Sequence, residues 1–179
     1  MFFRIRPATT NRTDDMKHPT PITPGPGQES VWAYPRPPRI DKAQRRVRVE
    51  VDGVIVVDAP QAIRVLETSH PPTYYVAPEY VDPTCLEAAG GGSFCEWKGV
   101  ASYFDVIGGG ERIVRGAWCY PDPSEPFAAL ADHLAFYPAL VDCFVDDERV
   151  RPQPGRFYGG WITNDVVGPF KGEPGTRFW

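Results

Sequence analysis

The sequence predicts an all-β fold: antiparallel hairpins forming a two-sheet sandwich or tent-like fold, with one short helix and extended N- and C-terminal arms. Three observations carry this expectation. Proline (21) and glycine (17) make 38 of 179 residues, nearly twice their usual share of about 12%, which excludes long helices throughout. Hydrophobic residues (42%) and aromatics (13%) nevertheless supply enough apolar surface to offset chain entropy on burial. From Arg46 onward, apolar and polar residues alternate with a period of two, as in half-buried strands.

Residues 1–30, with Pro7, Pro19, Pro21, Pro24 and Pro26, read as a flexible Pro/Gly-rich arm. Glu29 to Arg39 reads as an extended segment across the body, since its prolines forbid helix while Trp32 and Tyr34 offer large burial. Residues 31–151 then form a single β-rich domain. Its first hairpin joins Val47, Val49 and Val51 through Asp52-Gly53 to Val54–Val57, because Asp-Gly between β-branched runs favours a two-residue turn. Ala62–Glu67 is the next strand and Tyr74–Val76 a short one; residues 83–92, with a triple glycine, read as a loop. Phe94–Trp97 turns through Lys98-Gly99 into Ala101–Ile107, and Gly108-Gly109-Gly110 returns the chain to Arg112–Val114 and Ala117–Tyr120. That second triple glycine lacks the Lys-Ser/Thr and the helix of a phosphate-cradling loop, so it reads as a hairpin turn. Ser124 as N-cap, Pro126, and Phe127, Leu130 and Leu134 at helical spacing mark the one helix. Ala135–Tyr137 and Val141–Val145 close the domain, with Asp146-Asp147 turning into Arg149–Arg151. Residues 152–179 carry Phe157, Tyr158, Trp161, Phe170, Phe178 and Trp179, so this tail is expected to pack on the body or on a partner subunit.

Charge divides the chain into a basic leader and an acidic body. Residues 1–48 hold a net +6 and residues 49–179 a net −10, which makes nucleic acid an unlikely partner for the body. Arg36, Arg39, Arg45, Arg46 and Arg48 are expected to pair with the body's own carboxylates. No stretch has the ~18 to 20 apolar residues of a membrane span, and residues 1–6 lack the pattern of a secretory signal. A cytoplasmic protein without membrane contact is therefore expected. Cys85, Cys95, Cys119 and Cys143 lack paired zinc-knuckle spacing, so free and mostly buried thiols are expected, with no metal.

Several phrases resemble a known family. Glu29–Trp32, Arg64–Tyr75, Cys95–Gly99, Ala117–Pro123, Ala135–Pro138 and Pro152–Thr163 are similar to the bacterial domain of unknown function numbered 427. The resemblance covers about residues 29–179; shorter members resemble roughly Val49 to Val145, which implies a minimal β domain with a leader and tail added. The chain departs from the family pattern at Tyr80 and Phe178. The resemblance carries a nucleotidyltransferase-like label and no transferable activity. This sequence lacks the Gly-Ser turn and paired carboxylates that polymerase-type nucleotidyl transfer needs to hold two metals.

Within these phrases, Cys95, His70 and Glu67 have the residue types of a nucleophile, a base and its orienter. Cys95 lies in an apolar strand context that suits a buried, inert thiol, and His70 precedes two prolines whose turn it would cap or hydrogen-bond. Lys98, between an aromatic and a glycine at a hairpin tip, suits an anionic ligand, with Trp97 as a stacking face. Trp118 and Tyr120 fall on one strand face and, with Trp97 and Tyr103, line either an aromatic pocket or the core. A scattered metal set of His70, His133, Cys95 and Glu67 lacks any local ligand pair. The sequence thus favours a small-molecule binding β domain for an anionic or nucleotide-like ligand. Its alternatives are an enzyme using Cys95, His70 and Glu67, or a structural homo-oligomer built through residues 152–179. Whether a cofactor takes part is left open by the sequence.

Overall fold

A computed structural model describes residues 19–179; the first eighteen residues of the expected N-terminal arm lie outside the described residues. In chain order the strands are Glu29–Ser30 (β1), Arg39–Ala43 (β2), Val47–Val51 (β3), Val54–Ala59 (β4), Ala62–Leu66 (β5), Thr73–Tyr75 (β6), Leu86–Cys95 (β7), Gly99–Gly108 (β8), Glu111–Cys119 (β9), Leu134–Phe136 (β10), Asp142–Val145 (β11), Glu148–Arg149 (β12), Arg151–Pro152 (β13), Trp161–Ile162 (β14) and Val166–Val167 (β15). They form antiparallel sheets in the orders β10-β9-β8-β7, β12-β11-β3-β4 and β2-β5-β6, with small pairs β13-β14 and β1-β15. The β1-β15 pair runs parallel. The fold is all-β, as the alternation and turn chemistry predict.

The hairpin turns follow from their residues. Asp52 and Gly53 sit at φ 46° and 76°, and Gly109 and Gly110 at 58° and 88°, the left-handed pairs whose twist matches that of the flanking strands. The main core gathers inward residues from both four-stranded sheets: Val47, Val49, Val51, Val56, Val57, Val106, Ala117, Leu134, Phe136 and Val145. Trp161 of β14 is buried in it, against Tyr74 at 5.1 Å, with its Nε1 donating to the Phe136 carbonyl at 3.0 Å.

Three expectations are corrected. The Glu29–Arg39 segment is not extended throughout: ahead of its first proline, Val31–Ala33 form a 3-10 turn whose Trp32 amide donates to Ser30 Oγ at 3.3 Å, and the chain then enters a strand, β2, that pairs with β5 from Arg39↔Leu66 to Ala43↔Ala62. Residues 83–92 are not a loop: after a 3-10 turn at Pro83–Cys85, β7 runs through the triple glycine and pairs with β8, with a bulge between Ala89 and Gly92. The helix is a 3-10 helix over Glu125–Leu130. Its apolar spacing ends at Leu130, because Leu134 belongs to β10 and pairs with Cys119. The Ser124 hydroxyl caps nothing there and donates instead to the Trp97 carbonyl.

The leader arginines find carboxylates. Arg36 pairs with Glu67, Arg39 with Asp41, Arg45 with Asp146 and Asp165, Arg46 with Asp58 and Arg48 with Glu50. The four cysteines are free. No helix among the described residues is long and apolar enough to cross a membrane.

Candidate functional site: an aromatic cleft lined with cations

Strand alternation gives the β7–β10 sheet two different faces. Ala117, Cys119, Leu134 and Phe136 face the main core, whereas Ala101, Tyr103, Trp118, Tyr120, Ala135 and Tyr137 cluster on the other side with Val65 and Tyr75 from β5 and β6. That second face floors a cleft of about 910 Å3, a size suited to a small ligand. Its rings pack in series, with Trp118 4.3 Å from Tyr137 and 6.2 Å from Tyr75, and Tyr75 6.4 Å from Tyr120. Burial first, then neighbouring tyrosines, pushes the Tyr120 and Tyr137 hydroxyls above the ordinary phenol range; burial does the same for Tyr75. These phenols stay protonated and are available as hydrogen-bond donors.

All eight residues singled out from the sequence, Glu67, His70, Cys95, Trp97, Lys98, Tyr103, Trp118 and Tyr120, line this cleft. Lys98 stands at the β7–β8 hairpin tip, its Nζ 5.5 Å from the Tyr120 ring and 6.0 Å from Phe127. The tip is held by Ser124, whose amide donates to the Lys98 carbonyl at 3.2 Å. Tyr103 shares a hydrogen bond with Ser93 at 2.8 Å and carries the Arg115 guanidinium 4.8 Å from its ring.

Glu67, His70 and Cys95 share the cleft but not a hydrogen-bonded relay. Glu67 accepts from Arg36 Nε and Nη2 at 3.0 and 2.6 Å. His70 is bound by Gln153, and the direction of that bond is fixed by a third group. Gln153 Nε2 donates to the Lys171 carbonyl at 2.8 Å, which orients the amide, so its remaining hydrogen points to His70 Nδ1 at 3.1 Å. His70 Nδ1 therefore accepts, and the neutral ring carries its proton on Nε2. Burial, reinforced by Lys171 and Arg36 against the opposing pull of Glu67, lowers the imidazole to about 4. His70 is thus neutral near pH 7, its Nδ1 occupied by Gln153 and its Nε2–H left to donate, an arrangement suited to donating a hydrogen bond and not to taking a thiol proton. Cys85, Cys119 and Cys143 are pushed up by burial, as inert thiols are.

Charge marks the cleft more sharply than any single motif. Of the fifteen lysines and arginines among residues 19–179, eight lie within 4.0 Å of an Asp or Glu carboxylate. Four of the seven that do not, Lys98, Arg115, Arg156 and Lys171, line this one cleft. Lys171 is buried at 8% exposure, and burial, then nearby Arg36, lowers its pKa. Arg36, Arg115, Arg156, Lys171, Gln153, Tyr75, Tyr137 and Tyr158 are cleft residues that the sequence does not mark as belonging to a site, because they arrive from separate segments of the chain. His133 lines a separate pocket beside Lys42 and Tyr80, so the scattered set of four metal ligands does not assemble. No cluster of three His, Cys, Asp or Glu suited to a metal occurs among the described residues.

A family model described as "Domain of unknown function (DUF427)" matches residues 39–147. The chain belongs to the DUF427 family. No curated protein matches it significantly. The DUF427 match begins at β2 and is narrower than the phrases quoted from the sequence. It includes the cleft floor, Glu67, His70, Lys98 and Arg115, whereas Arg36, Gln153, Arg156, Tyr158 and Lys171 come from outside it.

Proposed function

We propose that this DUF427 chain is a cytoplasmic binding protein for a small anionic ligand with a planar, nucleotide-like ring. The observation that carries this reading is the gathering of four cations without an Asp or Glu partner, Lys98, Arg115, Arg156 and Lys171, over an aromatic floor in an otherwise acidic protein. Such cations at a partly desolvated surface favour an anion, and stacked tyrosine and tryptophan rings favour a flat apolar partner. Four free thiols fit a reducing compartment.

The test is a thermal-shift screen of nucleoside mono- and triphosphates and aryl carboxylates. A ligand at a hundred times its Kd contributes about 2.7 kcal/mol, which for a chain of this size raises Tm by roughly 5–10 °C. Lys98→Ala should abolish the shift without lowering the Tm of the ligand-free protein by more than a degree or two. A set of anions that leaves Tm unmoved would overturn the reading.

A further inference from the structure

The cleft gathers exposed apolar side chains as well as cations. Nine large hydrophobic residues stand exposed among the described residues, and four of them, Phe94, Val114, Leu140 and Phe157, line this one cleft at 50% to 80% exposure. A single exposed apolar side chain is ordinary, whereas several around one mouth mark a surface that a ligand or partner covers. They come from four segments: Phe94 from β7, Val114 from β9, Leu140 from the turn after β10 and Phe157 from the tail. Two of them prolong rows of buried or half-buried rings. The Leu140 amide donates to the carbonyl of Tyr137 at 2.9 Å, and the Tyr137 ring packs on Trp118. Phe157 stands edge-on to Tyr158 at 5.1 Å, and Tyr158 edge-on to His70 at 4.7 Å. Apolar surface thus leads from the floor out to the rim along two rows.

We infer that the ligand of this cleft is an amphiphile, an aryl carboxylate or phosphate whose ring carries an apolar chain, with its oxyanion at Lys98, its ring on the aromatic floor and its chain on Val114, Leu140 and Phe157. The inference rests on the ligand-binding reading of the cleft and adds the chain to it. Charge complementarity selects this occupant. Lys98 has no Asp or Glu carboxylate within 4.0 Å among the described residues, and its Nζ lies over the Tyr120 and Phe127 rings, so an anion placed there also meets apolar surface. A ring bearing only a charged group would cover the floor and leave the rim side chains in water. The cleft, at about 910 Å3, stands near the top of the roughly 300–1,000 Å3 range of small-ligand sites, which leaves room for the chain. A second copy docked face to face about a twofold axis would set Lys98, Arg115 and Arg156 against the same cations, and that repulsion opposes it. An extended peptide would need a strand edge to pair with, and the sheet edge that borders the cleft, β7, is interrupted. It bulges between Ala89 and Gly92, and Arg115 Nη2 donates to the Gly90 carbonyl at 2.5 Å.

Calorimetric titration of the full chain at pH 7 with benzoate, 4-butylbenzoate and 4-hexylbenzoate, each below its critical micelle concentration, tests this. A fully buried methylene is worth about fourfold in affinity and a half-covered one about twofold, so 4-butylbenzoate should bind at least about tenfold more tightly than benzoate. In the triple variant Val114→Asn, Leu140→Asn, Phe157→Asn, the ratio of the two affinities should fall toward one; all three side chains are exposed, so the fold should hold. Ile55→Asn, equally exposed but outside the cleft, should keep the ratio. Equal affinity for benzoate and 4-hexylbenzoate overturns the inference, as does a chain-length gain that survives in the triple variant or that Ile55→Asn removes. In each of those cases, benzoate binding that Lys98→Ala abolishes would leave the broader reading standing. A dimer in sedimentation that the triple variant dissociates would assign the rim to a second copy, and tighter binding of an acidic aromatic peptide than of 4-hexylbenzoate would assign it to a polypeptide; either result overturns the inference. If no benzoate binds, the inference falls, and the nucleotides of the thermal-shift screen decide the broader reading alone.

Discussion

His70 shows how completely surroundings can decide what a side chain does. In an unfolded chain its imidazole would titrate near the ordinary value of about 6.5; buried between Gln153 and Tyr158, it titrates at about 4. The unfolded state takes up the proton first, so stability is fully present above about pH 6.5 and declines as the pH falls toward 4. The loss amounts to up to about 3 kcal/mol. His70→Asn should flatten that part of the acid limb in urea unfolding measured from pH 7 to 4, and an identical slope in the variant would exclude His70 as its source. Nitrogen NMR of the ring at pH 7 should show the proton on Nε2. Gln153→Glu reverses the logic: a carboxylate facing Nδ1 favours the imidazolium, so the ring should titrate at least one unit higher.

At the level of elements, local chemistry reported turns well and long-range pairing poorly. The Asp52-Gly53 and Gly109-Gly110 turns were legible because their left-handed backbone demands particular residues. Gly53→Ala should accordingly cost about 1 kcal/mol in unfolding measurements. β7 was illegible for the opposite reason. Its Ala88-Ala89-Gly90-Gly91-Gly92 run has little intrinsic strand preference and is extended only because β8 pairs with it. β2 was hidden behind Pro35, Pro37 and Pro38, whose effect stops one residue before the strand begins. The cleft divides in the same way. Trp118, Tyr120 and Tyr103 were legible through alternation on adjacent strands, whereas Arg36, Arg115, Arg156 and Lys171 share no element and meet only in the folded chain. The loop carrying Gly159 illustrates such a meeting, since a Cβ there would lie 2.3 Å from the Trp118 ring. Gly159→Ala should destabilise by about 1–3 kcal/mol, and the displaced ring should change the near-ultraviolet circular dichroism and weaken ligand binding.

Across the whole molecule, the tail residue Trp161 links the sheets, meeting Tyr74 of one and the Phe136 carbonyl of another. Trp161→Ala should cost about 3–5 kcal/mol, measurable as a lower denaturant midpoint with unchanged strand content. The net charge of −4 has a kinetic counterpart. An anion approaching this protein meets a net negative charge overall and a local cluster of cations in the cleft, so association should slow as salt screens the cleft's field. Stopped-flow binding at rising ionic strength would read this directly, and a salt-independent rate would mean that the cleft cations do not steer.

β1 and β15 lie side by side and point the same way, with the Glu29 amide donating to the Asp165 carbonyl at 2.8 Å. Drawn apart by force from its two ends, the chain would load these strands in opposite directions along their length. Their hydrogen bonds would then bear tension together instead of opening one at a time, and this short seam acts as the latch that resists mechanical extension of the whole body.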